Sequence, residues 1–272
     1  MSTPKEKVHL TAAQETLLIT LYAKAVACPE VLFSDPKGKE IIAQIEYDFE
    51  QLKVPTGTRL TVCMRAKQID GYVRAFLAEH PNAIVLHLGC GLDTRFSRVD
   101  NGEMDWYDLD LPDVIELKRK FFTESERYHL IASSVTDLAW LEQISPQGRP
   151  VMVIAEGLFM YLHEADVKAL LHRFKADFPG CHLVFDAFSE LTASKVSANP
   201  SLKKTGAVIH WGIDDPLEIE TWEAGIHLQE EWFFTQSEDI PKLGLGNRLM
   251  FKLTGLFMLA KRAHRLLYYI LD

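Results

Sequence analysis

The hydrophobic period of the chain changes near residue 80. Upstream, apolar residues recur at helical spacing: Leu17, Leu18, Leu21, Tyr22 and Ala25 share a face between Thr11 and Ala27, and the pattern stops near Cys28-Pro29. A second helix is expected over KEIIAQIEYDFEQL and a third from Arg59 to Glu79, ended by His80-Pro81-Asn82. Downstream, AIVLHLG, MDWYDLDL, YHLIASSV, VMVIAEGLFMYL and CHLVFDAF read as strands. DTRFSRV, DVIELKRKFF and EADVKALLHRFKADF read as the helices among them. Apolar strands separated by helices of that length specify a parallel sheet with right-handed crossovers, hence an α/β fold.

These patterns divide the chain into a helical extension or lid over residues 1–80 and an α/β domain over 81–272, with an insert around 189–240. The insert opens on the polar run LTASKVSANPSLKKTG. The final stretch, RLMFKLTGLFMLAKRAHRLLYYIL, reads as an amphipathic helix followed by a buried strand. Leu249, Leu253, Leu256 and Ala260 share a helical face that is expected to meet core or a second copy of the chain. Contact with a membrane surface, through Lys252, Lys261, Arg262 and Arg265, is the lesser alternative.

Composition narrows the function classes. The 38 Asp and Glu outnumber the 29 Lys and Arg, for a formal net charge of -9, so broad binding to a phosphate backbone is not expected. The four cysteines, Cys28, Cys63, Cys90 and Cys181, form no CxxC pair; no metal site is expected, and reduced thiols in the cytoplasm are the simplest expectation. The amino-terminal stretch has no secretory h-region, and no run approaches the roughly 18 apolar residues of a membrane span.

Candidate chemistry gathers at strand ends. AIVLHLG runs into Gly89-Cys90-Gly91, where a turn without side chains lets backbone approach a ligand at a helix amino terminus. A dinucleotide motif would continue to a third glycine, but Thr94 stands in that place. About 20 residues on, the second strand ends in Asp110, placed to hold ribose hydroxyls, with Asp108 as the fallback. VMVIA delivers Glu156 to the same sheet edge, where a carboxylate suits a sulfonium or amine and opposes a pyrophosphate.

The motifs MRAKQID, LHLGCGLDTR, YDLDLPDV, SSVTDLAWL and AEGLFMYL, in this order, resemble the leucine carboxyl methyltransferase family, in particular its bacterial branch of polyketide O-methyltransferases. The resemblance runs from about Thr16 to Phe188. It implies a Rossmann-like class I methyltransferase, with a mostly parallel seven-stranded sheet and a helical extension, that uses S-adenosyl-L-methionine to methylate an oxygen of a small acceptor. By position it implies cofactor contacts from Gly89 and Gly91 to the methionine part, Asp110 to the ribose and Arg65 to the carboxylate. Lys24 adds a basic contact, Glu156 lies near the amine or sulfonium, and Ser134 with Val135 lies near the adenine. His87 departs from the acidic or amide residue common in the family, and Ser134 from its usual Asp.

A carboxylate acceptor needs no base, whereas a phenol or alcohol does, for which His163, His210 and Asp186 are the candidates. Tyr161, Phe188 and Trp211 are candidates to line an apolar acceptor pocket. Two other classes share these features: a nicotinamide-dependent oxidoreductase with a degenerate glycine motif, and a non-catalytic cofactor-binding protein. A homodimer is compatible with the pattern.

Overall fold

The computed structural model describes residues 12–28, 32–52, 54–197 and 207–272. Seven strands form one sheet in the order β3-β2-β1-β4-β5-β7-β6. β1 (Ile84–Leu88) and β4 (Val151–Ala155) are buried along their whole length and hold the centre. β2 (Asp105–Asp110), β3 (Tyr128–Ala132) and β5 (Cys181–Phe188) run parallel to them. β7 (His264–Leu271) is antiparallel to both β5 and β6 (Ile226–Phe233).

The side-chain period of two sends alternate residues to opposite faces. Val85, Met152, Ile154 and Val184 join one core with Leu18, Leu21, Ile41, Met64, Ile69 and Phe76, so the amino-terminal helices roof that face. These helices are α1 (Ala12–Tyr22), α2 (Pro36–Gln44) and α3 (Thr56–Glu79). Leu86, Val153 and Leu183 pack on the other face against Leu170, Leu171 and Phe174 of α6 (Glu164–Asp177). Helices α4 (Arg95–Val99) and α5 (Pro112–Lys118) follow β1 and β2.

Several elements differ from the sequence pattern. The second helix ends at Gln44, because Ile45 turns extended, and only a short 3-10 turn, Phe49–Leu52, follows. The third begins at Thr56, just after Pro55. The polar run after β5 starts as helix α7 (Glu190–Ser197), while its remainder, 198–206, lies outside the described residues. β6 falls inside the expected insert; its polar centre, Gln229-Glu230-Glu231, suits a sheet edge and hides the strand period.

The carboxyl-terminal helix runs Leu245–Leu256, but its buried anchor is Phe251, and the leucine face expected to meet core or a second copy does not meet the core of this chain and is exposed. Among the described residues, no helix is long and apolar enough to cross a membrane.

Candidate active site

Strand register brings the three motif residues to one level. Leu88 of β1 pairs with Leu109 of β2 and with Ala155 of β4, so the next residues, Gly89, Asp110 and Glu156, leave three neighbouring strands side by side. The order reverses between β1 and β4, and ligands of open α/β sheets bind outside the strand ends at such a switch point. A cavity of about 440 Å³ opens there, lined by the glycine turn, Asp110 and Glu156 and roofed by Leu17 and Lys24 from the amino-terminal segment.

The turn requires glycine twice. Gly89 and Gly91 have φ of 61° and 50°, the left-handed region that side chains disfavour. A Cβ on Gly89 would lie 3.0 Å from Leu158 Cδ1, and one on Gly91 3.0 Å from Leu17 Cδ2. Gly91 N–H donates to Asp110 Oδ2 at 2.7 Å, and Leu111 N–H to Oδ1 at 2.8 Å. Both bonds leave lone pairs on a carboxylate at the cavity wall. Burial raises the pKa of Asp110, outweighing the two backbone bonds that lower it.

Behind the turn lies a buried ionic network. Arg65 Nε donates to Glu156 Oε1 at 2.9 Å and Arg95 Nη2 binds Glu156 Oε2, so one carboxylate joins two guanidiniums. Burial alone would raise the Glu156 carboxyl, but Arg65 and Arg95 outweigh it and hold it far below its ordinary range. Arg95 also donates to Asp70 at 2.7 Å, and Lys24, carried on a π-type turn over Ala23–Ala27, pairs with Asp93. Arg65 Nη1 donates to Asp186 Oδ2 at 2.6 Å; its Nη2 meets no hydrogen-bond partner among the described residues and lies beside Gly157 at the cavity.

His87 sits beneath the turn, buried. Its Nδ1 lies 3.1 Å from Asp108 Oδ1 and its Nε2 3.2 Å from Arg95 Nη1. Because Arg95 can only donate, Nε2 accepts and Nδ1 carries the proton: a neutral tautomer fixed from both sides. Asp108 further accepts from Trp106, Tyr128 and Lys118, so it is committed to this network, away from the cavity.

The structure thus brings Lys24, Arg65, Gly89, Gly91, Asp110 and Glu156 around one cavity. Ser134 and Val135 fall outside its lining, just past β3; Val135 is core, and Ser134 Oγ lies 2.8 Å from Thr136 Oγ1. The general-base candidates do not reach it. His163 and His210 are exposed, with ring centroids 4.1 Å apart, and neither lines the cavity. Asp186 is fully buried: burial would raise its carboxyl, but Arg65 and His264 hold it low, so it anchors Arg65 and is a poor proton acceptor. Tyr161 and Phe188 line the cavity, whereas Trp211 packs in the core against Phe185 and Trp222. Asp70, Asp93 and Arg95 hold the network without a role expected from the sequence, although the LDTR motif containing the last two is the available signal.

The donor set suits a zwitterionic sulfonium. Arg65 Nη2 and Lys24 offer cations for its carboxylate, Glu156 an anion for its amine, and Asp110 acceptors for ribose hydroxyls, while a pyrophosphate would meet Asp93, Asp110 and Glu156. A seven-stranded sheet in this order, with a glycine turn after β1 and an acid ending β2, is the fold of class I S-adenosylmethionine-dependent methyltransferases. The chain belongs to the leucine carboxyl methyltransferase family, whose model matches residues 18–175.

It is 37% identical, over 97% of its length and 98% of the relative's, to the tetracenomycin polyketide synthesis O-methyltransferase TcmP of Streptomyces glaucescens. It is 34% identical, over 88% of both chains, to the S-adenosyl-L-methionine-dependent methyltransferase dpfgK of Gibberella zeae. A solved DUF574 family protein of Streptomyces avermitilis superposes with a TM-score of 0.62 over 96% of this chain and 100% of its own, at 12% identity, and so shares the fold. The chain is accordingly an S-adenosylmethionine-dependent O-methyltransferase, which displaces the oxidoreductase and non-catalytic alternatives.

Proposed function

We propose that this enzyme methylates a carboxylate on a small, largely apolar acceptor of polyketide type, and does so in the cytoplasm, a setting supported by four buried, free cysteines. One observation carries the acceptor class: the described titratable residues lining the cavity are already engaged or unsuited to take a proton. Lys24 is paired with Asp93, Glu156 lies between two arginines, and both His87 nitrogens are occupied. Asp110 is taken up by the ribose position, Asp113 has interactions of its own, and burial raises both the Cys90 thiol and the Tyr161 hydroxyl. A carboxylate arrives ionised at neutral pH and needs no base, whereas a phenol would. The apolar walls, Leu111, Leu158, Met160, Tyr161 and Phe188, suit a hydrophobic acceptor, in keeping with the polyketide pathway named for the TcmP relative.

When bound, the cofactor supplies a sulfonium methyl group for in-line displacement by the acceptor oxygen. The chain's own part is placement. Arg65 and Glu156 fix one end of the cofactor site and Asp110 the other. Gly157, held by its N–H on Asp186, keeps the wall beside Arg65 open. His210 and Trp211 act only through backbone: their N–H groups donate to Met160 O at 2.9 and 3.2 Å, pinning a wall residue. Orientation with water exclusion is worth up to roughly 7–11 kcal/mol in well-aligned reactions, enough to carry much of a methyl transfer.

The test is the product bond. Incubation with S-adenosylmethionine and a panel of aromatic polyketide acids and phenols should yield methyl esters that release methanol in mild alkali. Alkali-stable methyl ethers as the sole products would refute the carboxylate assignment.

A further inference from the structure

We infer that the solvent-facing leucine ridge of the helix Leu245–Leu256 docks onto an anionic lipid surface, making the enzyme a peripheral membrane protein. At about 100° per residue, Leu245, Leu249, Leu253 and Leu256 form one stripe and Phe251 points the opposite way. Only Phe251 is buried, at 4% exposure; the four leucines are 81%, 57%, 49% and 71% exposed. The amphipathic helix therefore presents its apolar stripe to solvent. The chain beyond it continues the surface, with Phe257, Met258 and Leu259 at 65%, 59% and 79%. A contiguous ridge of this kind marks an interaction site.

Charge selects the occupant. The chain as a whole is acidic at -9, yet from Ile240 to Leu271 it has no Asp or Glu; of its cations Lys242 pairs with Asp239, and Arg262 and the buried Arg265 pair with Glu231, while Arg248, Lys252 and Lys261 have no acid partner among the described residues. Arg248 and Lys252 are exposed and flank the leucine stripe, where phosphate headgroups would lie beside inserted leucines. The nearest preceding acid pair is Glu238-Asp239, and Asp239 is held by Lys67 and Lys242. A twofold pairing of the same face with a second copy would instead gather the Arg248 and Lys252 cations of both copies in one patch, with no acid from this segment to neutralise them.

The test is co-sedimentation of the full chain with vesicles of phosphatidylcholine containing about one quarter phosphatidylglycerol, and with pure phosphatidylcholine. The wild type is expected to bind the anionic vesicles and to be released by salt. The double variant Leu249→Glu/Leu253→Glu should lose binding at least tenfold, and Arg248→Gln/Lys252→Gln roughly thirtyfold on the anionic vesicles. Neither pair touches the cavity, so both should keep the thermal shift produced by S-adenosylhomocysteine, which shows that they fold. Absence of wild-type binding, equal binding to both vesicle types, or binding unchanged in both variants would overturn the inference. So would a solution dimer that the leucine variant dissociates while no vesicle binding is seen.

Discussion

Replacing Glu156 with Gln tests the ionic network behind the turn. The substitution keeps the shape of the side chain and removes the charge that Arg65 and Arg95 share. Each charge-assisted hydrogen bond is worth about 1.5–3 kcal/mol, and breaking a buried pair costs about 3–5. Two features place the expected loss at the lower end, about 3 kcal/mol: Arg65 retains Asp186, and Arg95 retains Asp70. Urea unfolding monitored by circular dichroism at pH 7.5 would read this as a lower midpoint with an unchanged slope. The pH dependence gives a second check. Because the folded pKa of Glu156 is depressed, its contribution is complete above the unfolded carboxyl range, near pH 4.3, and declines as the pH falls below it. The gap between wild type and variant should therefore narrow by about 1 kcal/mol at pH 3.5. A gap below about 1 kcal/mol at pH 7.5, or one unchanged at pH 3.5, would refute the assigned coupling.

Other outcomes follow from the same geometry. Asp110→Asn should weaken S-adenosylhomocysteine binding at least tenfold by calorimetry, since the amide loses the charge facing the ribose position; retained affinity would remove Asp110 from the site. Gly91→Ala forces a Cβ into the left-handed region, 3.0 Å from Leu17 Cδ2, and should cost about 1–2 kcal/mol of stability along with cofactor affinity, both read from melting curves with and without ligand. With a carboxylate acceptor, the rate of methyl transfer should stay flat from about pH 6 to 9; a rise tracking one ionisation near neutrality would mean that a base is at work.

The glycine turn, Asp110 and Glu156 stand out in the sequence as candidates because they depend on local order: a strand, a turn without side chains, an acid at a strand end; Arg65, on a helix, is singled out only by the family resemblance. The partners that hold them do not stand out. Lys24 meets Asp93 across 69 positions, Arg95 meets Glu156 across 61, and Arg65 meets Asp186 across 121, distances that no local pattern encodes. Its place at a strand end makes Asp186 a candidate base by sequence, and only its burial between Arg65 and His264 reveals an anchor. Periodicity leaves the orientation of the carboxyl-terminal helix open in the same way. A leucine stripe specifies amphipathicity, but which side meets the core was decided by Phe251.

The most direct test of the account is a crystal structure of the wild-type enzyme with S-adenosylhomocysteine. The ligand should lie over Gly89 and Gly91, with its ribose hydroxyls on Asp110 and its amino-acid end between Arg65 and Glu156. Density for the ligand in any other cavity, or a ribose turned away from Asp110, would contradict it.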